Sequence, residues 1–345
     1  MLGHRPLRYS RRVATGPVIL LSGGTGGAKL ARGLLDVAGD DLVVIANTGD
    51  DVEAHGGYVA PDPDLVTFWL ADRVDERGWG LRGDTFAVMD GLRELGDDVW
   101  FNLGDRDLAL CLRRARRLAE GARLTETLDE ARRALGVAAR VLPMSDEPVR
   151  TRIRARGAWH GLQEFLIRER GAGPVEDVAL DGVELARPVP EALEAIAAAR
   201  AIVVGPSNPV ISIGPILAVP GMRDALRAAE APVIGVSPLV RGQVLKGPTD
   251  AFMTWAGHAL SSDGIVAHYH GLLDGLVADR RAGRLPTLET DVLMGDAAAR
   301  RRVADETLAF AAALRSARAG AGARRARTGP APAPDPRPGG GTRAR

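Results

Sequence analysis

The chain has 345 residues, of which 46% are hydrophobic and 26% charged, with a formal net charge of +1. That balance gives no global drive toward nucleic acid or a membrane surface, and no apolar run reaches the roughly 18 residues of a membrane span. A single cysteine, Cys111, excludes an intramolecular disulfide and points to the cytoplasm.

Met1 to Arg12 is basic and lacks the apolar stretch of a signal peptide, so residues 1–16 are expected to be a disordered extension. Pro17 to Ser22 is a short apolar run that ends in glycines, as a buried strand does. Leu30, Leu34 and Val37 follow at helical spacing, and Leu42 to Ala46 is a second apolar strand. Strand, glycine loop, helix, strand is a βαβ unit and implies a parallel sheet. Helices are expected over Leu65 to Val74, Thr85 to Leu95, Leu108 to Glu120 and Leu128 to Leu135, with a strand over Val99 to Leu103. From Val141 to Ala186 the alternation shortens and glycines interrupt it, which marks an inserted α+β subdomain at 141–186.

The α/β pattern then returns, with helices over Pro190 to Arg200 and Met222 to Ala229 and strands over Ala201 to Gly205 and Pro232 to Pro238. A strand near Gly264 to Ala267, a helix to about Gly283, an edge strand at Val292 to Met294 and a helix over Asp296 to Ala319 complete it. Residues 319–345 are too poor in large apolar side chains to order themselves. The fold class is therefore α/β: a Rossmann-like, three-layer parallel sheet formed by 17–140 and 187–318, with the smaller subdomain inserted between them.

The loop Ser22-Gly23-Gly24-Thr25-Gly26-Gly27 lies between a strand and a helix, where backbone amides and the helix dipole attract phosphate. Lys29 stands where a dinucleotide fingerprint has its third glycine, and no Walker spacing fits. Lysine occurs only at 29 and 246 in this arginine-rich chain, which makes both candidate phosphate contacts. Asp50 and Asp51 follow the second strand, and Ala60-Pro61-Asp62-Pro63-Asp64 reads as a stiff loop that holds two more carboxylates. Acids beside a phosphate loop repel the substrate unless a cation lies between them, and Mg²⁺ suits that place.

Arg106, in Leu103-Gly104-Asp105-Arg106-Asp107, is a candidate partner of the acids or of a phosphate. The segment Trp79 to Phe86 could stack a flat ring or simply pack. Ser207 and Asn208, in Gly205-Pro206-Ser207-Asn208-Pro209, offer contacts to a base or ribose. Cys111 is expected to be a small buried hydrophobe, and His268 and His270 to be structural.

These loops, in this order, resemble the 2-phospho-L-lactate transferase family (CofD/FbiA) of coenzyme F-420 biosynthesis. The likeness is carried by LSGGTGGAKLARGL, ANTGDD, RGWGLRGDTF, FNLGDRDLA, LPMSDEPVRT, VGPSNPVISIGPILAVPGM and SPLVRG, from about Leu21 to Gly242. It implies transfer of a phosphoenolpyruvyl or 2-phospho-L-lactyl group from a guanosine diphosphate-linked donor to the ribityl hydroxyl of the deazaflavin Fo, with release of GMP.

By the same resemblance Gly23 to Gly27 hold the diphosphate, and Asp50, Asp51 and Asp64 place Mg²⁺ or orient the hydroxyl. Ser207 and Asn208 meet the guanosine, and Asp64 touches Fo. Asn102 replaces a basic residue of the family that also meets Fo. The expected partners are these small molecules and a second copy of the chain in a homodimer, with no nucleic acid and no membrane. Replacing Asp64 by alanine is expected to stop transfer and leave the fold intact. The competing reading is a YvcK-like regulatory protein that binds nucleotide-sugars without turnover.

Overall fold

The computed structural model describes residues 15–327. The chain opens with β1 (Val18–Ser22), α1 (Gly24–Ala38), β2 (Leu42–Ala46), the hairpin β3 (Val52–Ala54) and β4 (Gly57–Val59), and α2 (Pro61–Leu70). Then come α3 (Ala87–Glu94), α4 (Asp105–Ala119), α5 (Leu124–Ala134) and β5 (Arg140–Pro143). An antiparallel sheet of β6 (Arg150–Ala155), β7 (Ala158–Gly161) and β8 (Asp177–Asp181) follows, with α6 (Leu162–Ile167) inside it.

The second half contains α7 (Pro190–Ala197), β9 (Ala201–Val204), a π-helical turn at Pro209–Ile213 that runs into α8 (Gly214–Ala218), α9 (Met222–Ala228) and β10 (Val233–Val236). A small hairpin, β11 (Leu239–Val240) and β12 (Gln243–Val244), leads to α10 (Thr249–Trp255) and α11 (Ser262–His268). The described chain ends with β13 (Gly275–Ala278), β14 (Thr287–Glu289) and α12 (Ala297–Arg327).

Seven parallel strands form the central sheet, in the order β14-β13-β10-β9-β1-β2-β5. Every residue of β1 and β2 is buried, as both-face coverage requires of a parallel sheet. Alternate side chains feed two cores. Ile19, Leu21, Val43 and Ile45 pack with α7, α9 and α11, while Val18, Leu20 and Val44 pack with α1, α2 and α12. This is the three-layer α/β arrangement. β1 is flanked by β2 on one side and β9 on the other, so the strand order switches there, and a crevice opens at the carboxyl ends of those strands.

Four expectations change. Ala60 to Asp64 is no loop: Pro61 starts α2, since proline's missing amide costs nothing in a first helical turn. Val99 to Leu103 forms no ladder, because Phe101 and Leu103 bury beside Met89, Leu108 and Cys111 instead, and β5 lies next to β2. Gly264 to Ala267 is helical, within α11, where the Ser261 hydroxyl caps the Gly264 amide at 3.1 Å. The strand comes later as β13, within the stretch expected to be helical to about Gly283, and β14 takes the sheet edge in place of Val292 to Met294.

The inserted segment 141–186 holds β6, α6, β7 and β8, while its first three residues belong to β5 of the central sheet. Of the extension expected over 1–16, residues 1–14 lie outside the described residues. Of the tail expected over 319–345, residues 319–327 continue α12, and 328–345 lie outside the described residues.

Candidate active site

The glycine loop turns sharply from β1 into α1. Gly23 is the N-cap, in extended conformation, and Gly24 has φ +61°, a left-handed value that disfavours other residues. Its neighbours are glycine for a different reason. A Cβ on Gly26 would stand 2.0 Å from the Pro206 carbonyl oxygen, and one on Gly27 would stand 2.3 Å from the Ser22 hydroxyl. The loop after β9 therefore presses directly on the loop after β1. Ser207 Oγ accepts a hydrogen bond from the Gly23 amide at 3.3 Å, which joins the two across the switch point.

A cavity of about 500 Å³ opens over this junction. Gly23, Gly24, Thr25, Gly26, Lys29, Ser207, Asn208 and Lys246 all line it, so the structure gathers eight residues expected at the site. Gly27 lies behind it, against the two serines. Asn208 is partly committed. Its carbonyl caps the amides of Val210 and Ile211, and its amide donates to Thr249 at 3.3 Å. The far wall is apolar, built from Leu166, Val240, Val244 and Val292 to Met294. Burial lowers the Lys29 pKa, and the positive charges of Arg300 and Lys246 lower it further. A cluster of like charges of this kind is relieved by an anion.

The acids form a second, buried group on the β2 side. Asp50 and Asp51 follow β2, and Asp62 and Asp64 occupy the first turn of α2, where the helix dipole favours them. Asn47 organises this group: its side-chain amide donates to Asp62 at 2.9 Å and to Asp50 at 3.2 Å. Gln163, from the inserted segment, donates to the other Asp50 oxygen at 3.0 Å. Asp62 also accepts from the Gly24 amide at the mouth of the glycine loop, so one carboxylate ties the acids to the cavity.

Asp64 turns the other way. Arg114 of α4 grips both its oxygens, at 3.0 Å through Nη1 and more closely through Nη2. Asp107 and Cys111 stand beside this pair.

Burial pushes the Asp62 carboxyl up to about 6, although Asn47 and the Gly24 amide favour its charge. Burial, and then the negative charges of Asp62 and Asp51, hold Asp50 well above the usual range. Asp51 is raised by burial too, and Arg150 and Arg114 pull it back only in part. Tyr58 lies close enough to favour the Asp51 charge without a hydrogen bond of ordinary geometry, and neither Asp51 oxygen has a partner. Asp107 is pushed up to about 7 by burial and by Asp64.

Two buried, unpartnered carboxylate oxygens are hard donors that match a divalent cation. Asp51 therefore fits the Mg²⁺ expected here, and Asp50 stands beside it. The trio Asp64, Asp107 and Cys111 fits less well, because Arg114 already occupies Asp64 and a thiol prefers softer metals.

Two expected residues stay outside. Asn102 is partly exposed and accepts from Arg93 at 2.8 Å, and the Arg106 side chain is exposed. Their motif does structural work. Asp84 caps the Arg106 and Asp107 amides of α4, while Asp105 accepts from the Ala87 and Val88 amides of α3. A Cβ on Gly104 would strike Asp84 at 2.2 Å. The Trp79 ring is covered by the Arg77 guanidinium, 4.4 Å from its centroid. Cys111 is fully buried, and His268 contacts the Pro209 carbonyl oxygen at 3.3 Å.

Sequence reading missed Arg114, Asp107, Asn47 and Gln163. A signal for the first two was present: Asp107, Leu108, Cys111 and Arg114 share one helical face, so an acid and a base follow the apolar positions inward.

A profile of the family described as "2-phospho-L-lactate transferase CofD" matches residues 18–306. The chain belongs to the CofD family. It is thereby a transferase, of the kind that serves coenzyme F-420 biosynthesis. A 2-phospho-L-lactate transferase of Methanosarcina mazei is 39% identical, over 76% of this chain and 87% of that one. A phosphoenolpyruvate transferase of Streptomyces coelicolor is 37% identical, over 87% of this chain and 99% of that one. A solved member of the UPF0052 family from Bacillus halodurans shares the fold, with a TM-score of 0.58 at 17% identity over 85% of this chain and 99% of that one. No helix among the described residues is long and apolar enough to cross a membrane.

Proposed function

We propose that this CofD-family chain moves a phosphoenolpyruvyl or 2-phospho-L-lactyl group from a guanosine diphosphate-linked donor to the ribityl hydroxyl of Fo, releasing GMP. One observation carries the reading: a cavity whose described lining holds two lysines and no carboxylate abuts a buried group of acids, and Asp62 bridges the two. A diphosphate belongs in the first compartment and a hydroxyl nucleophile at the second.

The acceptor oxygen forms a bond to the phosphorus that bears the three-carbon acid, and the bridging phosphorus–oxygen bond breaks. That electron pair leaves on the phosphate of GMP, and the hydroxyl proton passes to a carboxylate of the Asp50, Asp51 and Asp64 group. The α1 amides, Lys29 and Lys246 balance the charge of the diphosphate, while Ser207 and Asn208 lie toward the guanosine. Asp51, Asp50 and Asp64 would hold Mg²⁺, which supplies charge neutralisation between acids and phosphates. The protein works in the cytoplasm as a homodimer on these small molecules.

The test is incubation of the full chain with Fo, Mg²⁺ and each guanylated donor, followed by mass spectrometry of the products. A phosphodiester of Fo together with GMP is expected, and no such product from either donor would sink the reading.

A further inference from the structure

Five buried acids crowd the β2 side of the site: Asp50, Asp51, Asp62, Asp64 and Asp107. Among the described residues one arginine, Arg114, is buried with them, and only 2% of it is exposed. It comes from α4, a different element from any that bears the expected site residues of the acid group. Its Nη1 donates to Asp64 at 3.0 Å and to the Tyr58 carbonyl oxygen at 2.9 Å, and its Nη2 takes the second Asp64 oxygen. The fork is thus fixed at three points. Two residues earlier in the same helical turn, Asp62 faces the opposite way, onto the glycine loop.

We propose that Arg114 is a positioning residue: its fork holds the Asp64 carboxylate away from Asp62 and rations how far Asp64 can join Asp51 in binding a divalent cation. A carboxylate has about four acceptor directions, and a bidentate guanidinium takes two of them. Asp64 therefore keeps its aim but offers a cation only what Arg114 leaves. With Arg114 in place the acid group takes up a cation without collapsing around it. Without it, Asp64 swings to the cation and leaves the hydroxyl unoriented. This inference rests on the acid group being the reacting centre of the proposed transfer.

The test separates cation binding from turnover. Mg²⁺ binding to the full chain is measured by calorimetry for the wild type, Arg114→Met and Arg114→Lys, with thermal unfolding to establish that each is folded. For Arg114→Met, Mg²⁺ is expected to bind about tenfold tighter, since a like charge near the site is removed. Its kcat should fall about 10–100-fold while KM for the guanylated donor is unchanged. Arg114→Lys keeps the charge and loses the fork, so its kcat falls and its Mg²⁺ affinity rises by less than that of Arg114→Met. It also decides the question if the methionine variant fails to fold.

A loss confined to stability, with Mg²⁺ affinity and kcat both unchanged in the folded variants, overturns the proposal. If the wild type turns over neither donor, the proposed function fails and calorimetry alone decides. Tighter Mg²⁺ binding by Arg114→Met and, to a smaller extent, by Arg114→Lys upholds the role of the fork, whereas tightening in Arg114→Met alone reports only the lost charge and overturns it, as does equal or absent binding in all three proteins.

Discussion

Asp62 and Asp64 are separated by a single proline and serve two different parts of the molecule. Asp62 holds the glycine loop through the Gly24 amide, and Asp64 anchors α4 through Arg114. The second contact alters what a substitution at Asp64 does. Removing one partner of a buried ion pair leaves the other charge uncompensated, at a cost of about 3–5 kcal/mol. Asp64→Ala is therefore expected to lower the unfolding temperature markedly as well as stop transfer, where the sequence alone predicts an intact fold. Asp64→Asn retains an acceptor for Arg114 and is expected to be the more stable of the two. Thermal unfolding of both variants checks this, and an Asp64→Ala protein as stable as the wild type would show that the pair contributes nothing.

At the scale of elements, the reciprocal capping of α3 and α4 explains a motif that looked like a ligand contact. Asp84 serves α4 and Asp105 serves α3, so each helix start depends on an acid at or just before the start of the other. Asp84→Ala is expected to cost about 0.5–2 kcal/mol, as loss of an N-cap does. Because α4 carries Arg114, kcat should fall with it, while GDP binding in the cavity, which neither α3 nor α4 lines, is unchanged. Weakened GDP affinity in Asp84→Ala would contradict that separation.

The same elements show what could be read in advance. The strands β1, β2, β9 and β10 were legible because buried parallel strands are continuous apolar runs. That the glycine loop, Lys29, Ser207 and Asn208 come together around one cavity was legible because they lie at or just beyond the ends of neighbouring parallel strands. Arg114 carries one signal in the sequence, its place on the helical face of Leu108 and Cys111, and within an arginine-rich helix the Asp64 contact is what sets it apart from its solvated neighbours. β13 was misplaced because its glycine is set by helix packing: a Cβ on Gly275 would meet the Phe310 ring at 2.6 Å, a contact made across the chain.

For the whole molecule, the crowd of acids makes stability depend on pH and on cations. Asp62 and Asp107 are raised from 3.8 to about 6 and about 7, and Asp50 and Asp51 are raised as well, in each case by burial first. In the unfolded chain these groups titrate near 3.8. Between the two ranges the native state therefore binds more protons than the unfolded state, and stability falls as pH rises. The contribution is fully present below the unfolded value and is lost as pH passes through the folded values. Without divalent cations, the unfolding temperature should accordingly decline from about pH 5 to about pH 7.5. Mg²⁺ replaces the missing protons as the compensating charge, so it should restore stability at the upper end of that range and do little at the lower end. Thermal unfolding across this range, with Mg²⁺ and with a chelator, makes the measurement. A flat profile with chelator would show that the acids are not held against their charge, and an equal effect of Mg²⁺ at both ends would place its binding elsewhere on the protein.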